Sequence, residues 1–98
     1  MPFAIYLGDE VSAAGYRLAG VDARVPPPGG EGQALAAALA QAKLVLVSAS
    51  VALRVPAADL RAAQRALAPL TVVVPDLQGE APLPDLASRL RAELGLAA

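Results

Sequence analysis

Short, uninterrupted apolar runs alternate along the chain with segments in which apolar residues recur every three or four positions. Three runs, 3–7, 43–47 and 70–74, are apolar at nearly every position. Such runs are typical of strands that are buried on both faces of a parallel sheet. Segment 21–25 alternates apolar and polar residues and precedes the prolines of 26–28, which is typical of an edge strand. The pattern therefore predicts four strands.

Segments with helical periodicity separate these strands. Apolar residues share one helix face in three of them: Val11, Ala14 and Leu18; Leu35 and Leu39; Leu60, Ala63 and Leu67. Pro56 is expected at the start of the third helix, because proline is tolerated in a first turn. A fourth helix is predicted over 83–95, with an apolar stripe formed by Leu83, Leu86, Leu90 and Leu94.

Strict alternation of strands and helices predicts a single three-layer α/β domain over residues 1–98. Right-handed crossovers then place helices on both faces of a four-stranded parallel sheet, for which we expect the order 2-1-3-4, as in receiver-like and Rossmann-like folds. Segment 26–32 is rich in Pro and Gly and is predicted to be an exposed loop.

Composition narrows the chemistry more than it narrows the fold. The chain has no His and no Cys, so imidazole acid–base catalysis, thiol nucleophiles and the common zinc sites are excluded. A formal net charge of −1 argues against nucleic acid or an anionic membrane as a partner. No apolar run approaches the roughly 20 residues of a membrane span. We assign no catalytic, cofactor-binding or metal-ligating residue, and we expect a cytoplasmic, non-enzymatic protein.

A ligand crevice is expected where the predicted strand order reverses, beyond the first and third strands. Asp9 and Glu10 follow the first strand, and Ser48 and Ser50 follow the third. Two interpretations stay open. The acidic pair could cap the next helix, or the crevice could bind a metal ion, phosphate or small ligand, as in a degenerate receiver-like regulatory module.

Arginines are concentrated on the third and fourth predicted helices. Arg54, Arg61 and Arg65 accompany the third helix, and Arg89 and Arg91 lie in the fourth. They are interpreted either as solvated helix faces or as a partner surface, since arginine is enriched in protein interfaces.

Two segments carry a family resemblance. The first strand ends in Gly8-Asp9, and the first helix contains Gly15-Tyr16-Arg17-Leu18-Ala19-Gly20. The second segment is similar to a Gly-Phe-Arg-Leu-Ala-Gly signature, and together the two resemble the F subunit of V-type and A-type rotary ATPases and ATP synthases. The resemblance continues weakly through 43–47, 70–75 and 89–95.

The resemblance implies a non-catalytic subunit of the central rotor stalk. Such a subunit binds the coiled-coil D subunit, approaches the catalytic A/B ring, and lies in the cytoplasm at the membrane surface as part of a larger complex, without inserting into the membrane. In the predicted C-terminal helix, the partner-binding residues that the resemblance suggests are Leu83, Leu86, Arg89, Leu90 and Leu94.

Overall fold

The computed structural model describes residues 2–76 and residue 92. The strands are β1 (Ala4–Leu7), β2 (Asp22–Arg24), β3 (Leu44–Ser48) and β4 (Leu70–Val74). The helices are α1 (Glu10–Leu18), α2 (Glu31–Gln41), α3 (Ala49–Ala52) and α4 (Ala57–Arg65). All strand pairs are parallel and the order is β2-β1-β3-β4. The predicted fold class and strand order are confirmed.

Neighbouring residues of each strand point to opposite faces of the sheet, and helices pack on both faces. One apolar cluster joins β1 and β3 to α2, α3 and α4, and its largest members are Ile5, Leu7, Leu35, Val45 and Val47. The other joins β1, β2 and β3 to α1, and its largest members are Tyr6, Tyr16, Val21 and Leu46. Thus α1 occupies one face and the other three helices occupy the opposite face.

The apolar stripe predicted for α1 is wrong. Val11 and Leu18 are exposed, at 50% and 46% of their surface, whereas the helix buries Ser12, Ala13 and Tyr16. The Tyr16 ring stacks on the Tyr6 ring of β1, with 3.8 Å between centroids and 12° between planes. Because Tyr16 stacks on Tyr6, α1 is oriented so that Ser12, Ala13 and Tyr16 face the sheet.

Two further apolar expectations fail at the β4 side of the domain. Leu67 lies after the end of α4 and is 95% exposed, so the buried stripe of that helix is reduced to Leu60 and Ala63. β4 was expected to be buried on both faces, but it lies at the edge of the described sheet, where Leu70 and Val72 are exposed.

Some element boundaries also differ from the prediction. α2 begins at Glu31, inside the segment 26–32 that was predicted as a loop. Glu31 is almost completely buried, and its carboxylate lies 4.0 Å from the Arg54 guanidinium. The four-residue helix α3 was not predicted. Apart from residue 92, the predicted helix over 83–95 lies outside the described residues.

Candidate functional site

Asp9 acts as the N-cap of α1. Its Oδ2 accepts hydrogen bonds from the backbone N–H groups of Val11 at 3.1 Å and Ser12 at 3.2 Å. Glu10 follows in the first turn, where a carboxylate is favoured by the helix dipole. Of the two interpretations that the sequence left open for the acidic pair, helix capping is the one that these contacts support.

The Asp9 carboxyl is stabilised in its charged form. Partial burial raises its pKa, but hydrogen bonds from the Ser12 hydroxyl and from backbone N–H groups outweigh that effect and lower the pKa below its ordinary value. A carboxylate held in this way has fewer lone pairs available for a metal ion or other cation.

The serines at the end of β3 are also engaged locally. Ser48 Oγ accepts from the Val51 N–H at 3.2 Å and thereby caps α3. Ser50 Oγ donates to Asp76 Oδ1 at 3.2 Å, and the Ser50 N–H lies 3.4 Å from the same oxygen. Asp76 was missed in the sequence, although its place just after β4 could have indicated that it reaches the same edge of the sheet.

The polar side chains of the strand-end crevice are therefore engaged in helix caps and in hydrogen bonds with one another. Within residues 2–76 and 92, no group of three or more acidic, His or Cys side chains is placed to hold a metal ion. Ser50 Oγ lies 3.3 Å from Ser48 Oγ and donates to the Asp76 carboxylate, and the chain has no imidazole to activate it.

The signature residues of the first strand and helix have structural roles. Gly8 is needed because the Tyr6 side chain lies against it, and a Cβ at this position would overlap the phenol. Tyr6 is completely buried and stacked on Tyr16, so it has little room to move. Burial raises the pKa of Tyr6 to about 12, and the phenol stays neutral.

Arg17 fastens α1 to the neighbouring strand. Its Nε and Nη2 both donate to the Ala23 carbonyl, at 3.1 and 2.9 Å. The carbonyl of Arg24 accepts from the N–H of Gly8, the residue just after β1, so the Ala23 carbonyl, one residue earlier, faces the open edge of β2. The arginine therefore satisfies a backbone acceptor that no strand reaches.

Gly20 ends the helix. Its φ of +92° lies in the left-handed region that glycine adopts without steric cost. The Gly20 N–H donates to the Arg17 carbonyl at 3.0 Å and the Val21 N–H donates to the Tyr16 carbonyl at 2.9 Å. Two such bonds close the last turn of a helix and satisfy carbonyls that would otherwise lack partners. The signature segment thus encodes how α1 packs and ends.

An apolar groove runs between α2 and α4. The groove has a volume of about 430 Å³, and Asp59 is the only ionisable residue in its lining. The other lining residues are small or apolar and include Gly32, Ala36, Leu39, Ala62 and Ala66. The sequence analysis missed this groove. Its signal is the stretch 32–42, which has no charged residue although it forms a surface helix.

Exposed leucines and arginines lie near the groove. Leu53 precedes α4 and is 88% exposed, and the equally open Leu67 follows it. Arg61 and Arg65 lie on the exposed surface of α4, four residues apart on one helix face. Single exposed leucines are ordinary, but here two of them flank an arginine-bearing helix that also forms one wall of an apolar groove. We call these groove and flanking residues the α4 surface.

The partner-binding residues suggested by the resemblance, Leu83, Leu86, Arg89, Leu90 and Leu94, all lie outside the described residues. The chain matches no protein-family model, and a search of curated proteins finds no significant match. Within the described part of the chain, no helix has the length and apolar character required to cross a membrane.

Proposed function

We propose that this protein is the F-type subunit of a rotary ATPase central stalk, and that it works by binding the coiled-coil D subunit. Two observations support the proposal. One is the resemblance carried by Gly8-Asp9 and by the segment 15–20. The other is the α4 surface, which has the form of a protein-docking site.

The α2–α4 groove is the observation that carries the binding role. It is elongated along two helices, mostly apolar, and free of convergent polar groups that would orient a small substrate. A helix of a coiled coil presents apolar side chains at regular intervals along one stripe, and such a stripe fits a groove between two helices. Arg61 and Arg65 would meet acidic residues beside that stripe.

The signature supports the family through the fold. Tyr16, Arg17 and Gly20 each hold α1 against the sheet, by stacking, by two hydrogen bonds and by a left-handed helix end. Together they specify a particular α1–β2 unit. A short sequence that determines several local contacts is more specific support for the family than the alternation of helices and strands, which many folds share.

Co-expression with the D subunit encoded in the same genome tests the proposal. We expect a one-to-one heterodimer that survives purification and elutes as one species in size-exclusion chromatography with light scattering. An unrelated antiparallel coiled coil of the same length is the matched control and should elute separately. Separate elution of the folded chain and the D subunit would refute the assignment.

The ligand-binding alternative predicts a different result. A ligand that binds only the native state raises the unfolding temperature. If Mg²⁺ or phosphate raised the midpoint of this chain by several degrees while the D subunit failed to bind, the strand-end crevice around Asp9, Ser48 and Ser50 would become the functional site.

A further inference from the structure

A polar pocket continues the α2–α4 groove at the starts of both helices. It has a volume of about 520 Å³ and is lined mainly by the first turns of α2 and α4 and by Arg54, which precedes α4. Gly32, Ala36 and Asp59 line both the groove and this pocket, so the two form one continuous depression. We call the polar part the Glu31 pocket, after its most buried charged residue.

The Glu31 carboxylate is buried, but its contacts within the described residues are loose. The side chain is 5% exposed, and its ion-pair partner is the Arg54 guanidinium at 4.0 Å, which is longer than a hydrogen bond. The Arg54 side chain is 65% exposed, so most of it lies in solvent. A buried charge is costly unless donors pair with it. Glu31 therefore has lone pairs available for a cation that enters the pocket.

Asp59 supplies a second carboxylate at the point where the pocket meets the groove. It lies exposed in the first turn of α4, and within residues 2–76 no basic group lies within 4.0 Å of it. Its neighbours on the helix face, three and four residues later, are Ala62 and Ala63, which carry no charge. Two carboxylates and one guanidinium leave the Glu31 pocket with one unbalanced negative charge.

We infer that the Glu31 pocket binds a lysine or arginine side chain of the partner helix whose apolar stripe occupies the α2–α4 groove. The inference rests on the proposed function and deepens it, because it adds a charge of stated sign and position to that stripe. α2 rises about 12 Å from Glu31 to Leu39, so the basic residue lies about two turns from the partner side chain that contacts Leu39. Its methylene stem would pack on Ala36 while its charged head reaches the carboxylates.

An anionic group of the partner is the competing occupant. Arg54 and the first turns of two helices would favour an anion, whereas Glu31 and Asp59 would repel it. Two carboxylates, one of them buried, outweigh one guanidinium that lies largely in solvent. The charge of the pocket therefore fits a cation.

Calorimetric titration of the D-subunit coiled coil into charge variants of the full chain tests the inference. Asp59→Asn and Glu31→Gln, which keep the shape of each side chain, should each weaken binding about fivefold. Asp22→Asn is the matched control, because it makes the same change at an exposed carboxylate on β2, the far edge of the sheet. It should keep the affinity within about twofold of the wild type. Thermal melts of each variant show whether the fold is intact.

Arg54→Gln separates the two occupants by the sign of its effect. It removes the cation that competes for Glu31, so it should tighten binding about two- to threefold. Weaker binding of Arg54→Gln, or tighter binding of Asp59→Asn, would indicate an anionic occupant and overturn the inference. Unchanged affinity of both Glu31→Gln and Asp59→Asn would also overturn it, while docking in the groove would stand. If the wild type does not bind the coiled coil, the proposed function fails and the inference fails with it.

Discussion

The two edge strands of the sheet differ in how their open sides are protected. β2 has three residues, of which Asp22 and Arg24 are charged and form an ion pair at 3.1 Å. The Arg17 guanidinium covers the outward carbonyl of Ala23, and the prolines of 26–28 follow the strand. Each of these features discourages another strand from pairing at this edge.

β4 shares only the neighbouring prolines, Pro69 and Pro75, and lacks the other features. Its sequence, Leu-Thr-Val-Val-Val, lacks any charge and favours strand structure, yet three of its five residues are exposed. An exposed apolar edge strand is an aggregation hazard unless something covers it. β2 is thus protected by its own charged residues and by Arg17, whereas within residues 2–76 no comparable contact protects the open side of β4.

The largest expected effect compares buried and exposed leucines on the same sheet face. Leu46→Ala should lower the free energy of unfolding by about 2–5 kcal/mol, because it leaves a cavity beneath α1. Leu70→Ala should cost less than half as much, because about half of that side chain is already in water. Urea unfolding of both variants measures the difference, and equal losses would show that β4 is as fully covered as β3.

Gly8→Ala should cost about 1–3 kcal/mol, because the added methyl overlaps the Tyr6 phenol in a packed site. Tyr6→Leu removes the ring and provides the matched background, in which the same Gly8→Ala change should cost much less. A double-mutant cycle by chemical denaturation checks this. Additive losses would mean that Gly8 is required for a reason other than the tyrosine.

Arg17→Lys tests the protection of the β2 edge. The ammonium cannot reproduce the two-donor contact with the Ala23 carbonyl, and we expect a loss of about 1 kcal/mol in the free energy of unfolding. Arg24→Lys is the control on the same edge. It alters an exposed ion pair and should change stability by no more than a few tenths of a kcal/mol. The reverse ranking would contradict the role given to Arg17.

Asp9→Asn should have the smallest effect at neutral pH, a few tenths of a kcal/mol, since Asn is also a good N-cap. The lowered pKa of Asp9 means that its contribution is present above the unfolded pKa of about 3.9 and is lost as pH falls through the folded value. Thermal melts between pH 6 and 2.5 should therefore show a shallower acid decline for Asp9→Asn. Parallel curves would indicate that the carboxylate contributes nothing to the cap.

How far the sequence predicts this molecule depends on the size of the side chains concerned. Apolar runs located three of the strands, because large aliphatic residues in a parallel sheet leave a strong pattern, and the alternation of apolar and polar residues located β2. The orientation of α1 was missed because Ser12 and Ala13, which are buried, give a weaker signal than the exposed Val11 and Leu18. The stacking of Tyr16 on Tyr6 and the hydrogen bonds from Arg17 to the Ala23 carbonyl fix that orientation, and both contacts join segments that are separate in the sequence.

The candidate site shows the same limit. Asp9 as a cap could be predicted, because a cap is a local contact of an acidic residue with the next turn. The α2–α4 groove could not, because it arises from where two alanine-rich helices lie relative to each other. The exposure of Leu67 likewise depends on where α4 ends, two residues before it.

Titration of the D-subunit coiled coil into three forms of the full chain, followed by calorimetry, tests the central claim most directly. The wild type should bind with one-to-one stoichiometry. Ala62→Glu, which places a carboxylate in the α2–α4 groove, should weaken binding at least tenfold, about 1.4 kcal/mol. Gln64→Glu, the same new side chain on the exposed part of the same helix, should stay within about twofold of the wild type, a few tenths of a kcal/mol. Equal affinity of all three forms would contradict docking on the α4 surface, and absence of binding to the wild type would contradict the stalk assignment itself.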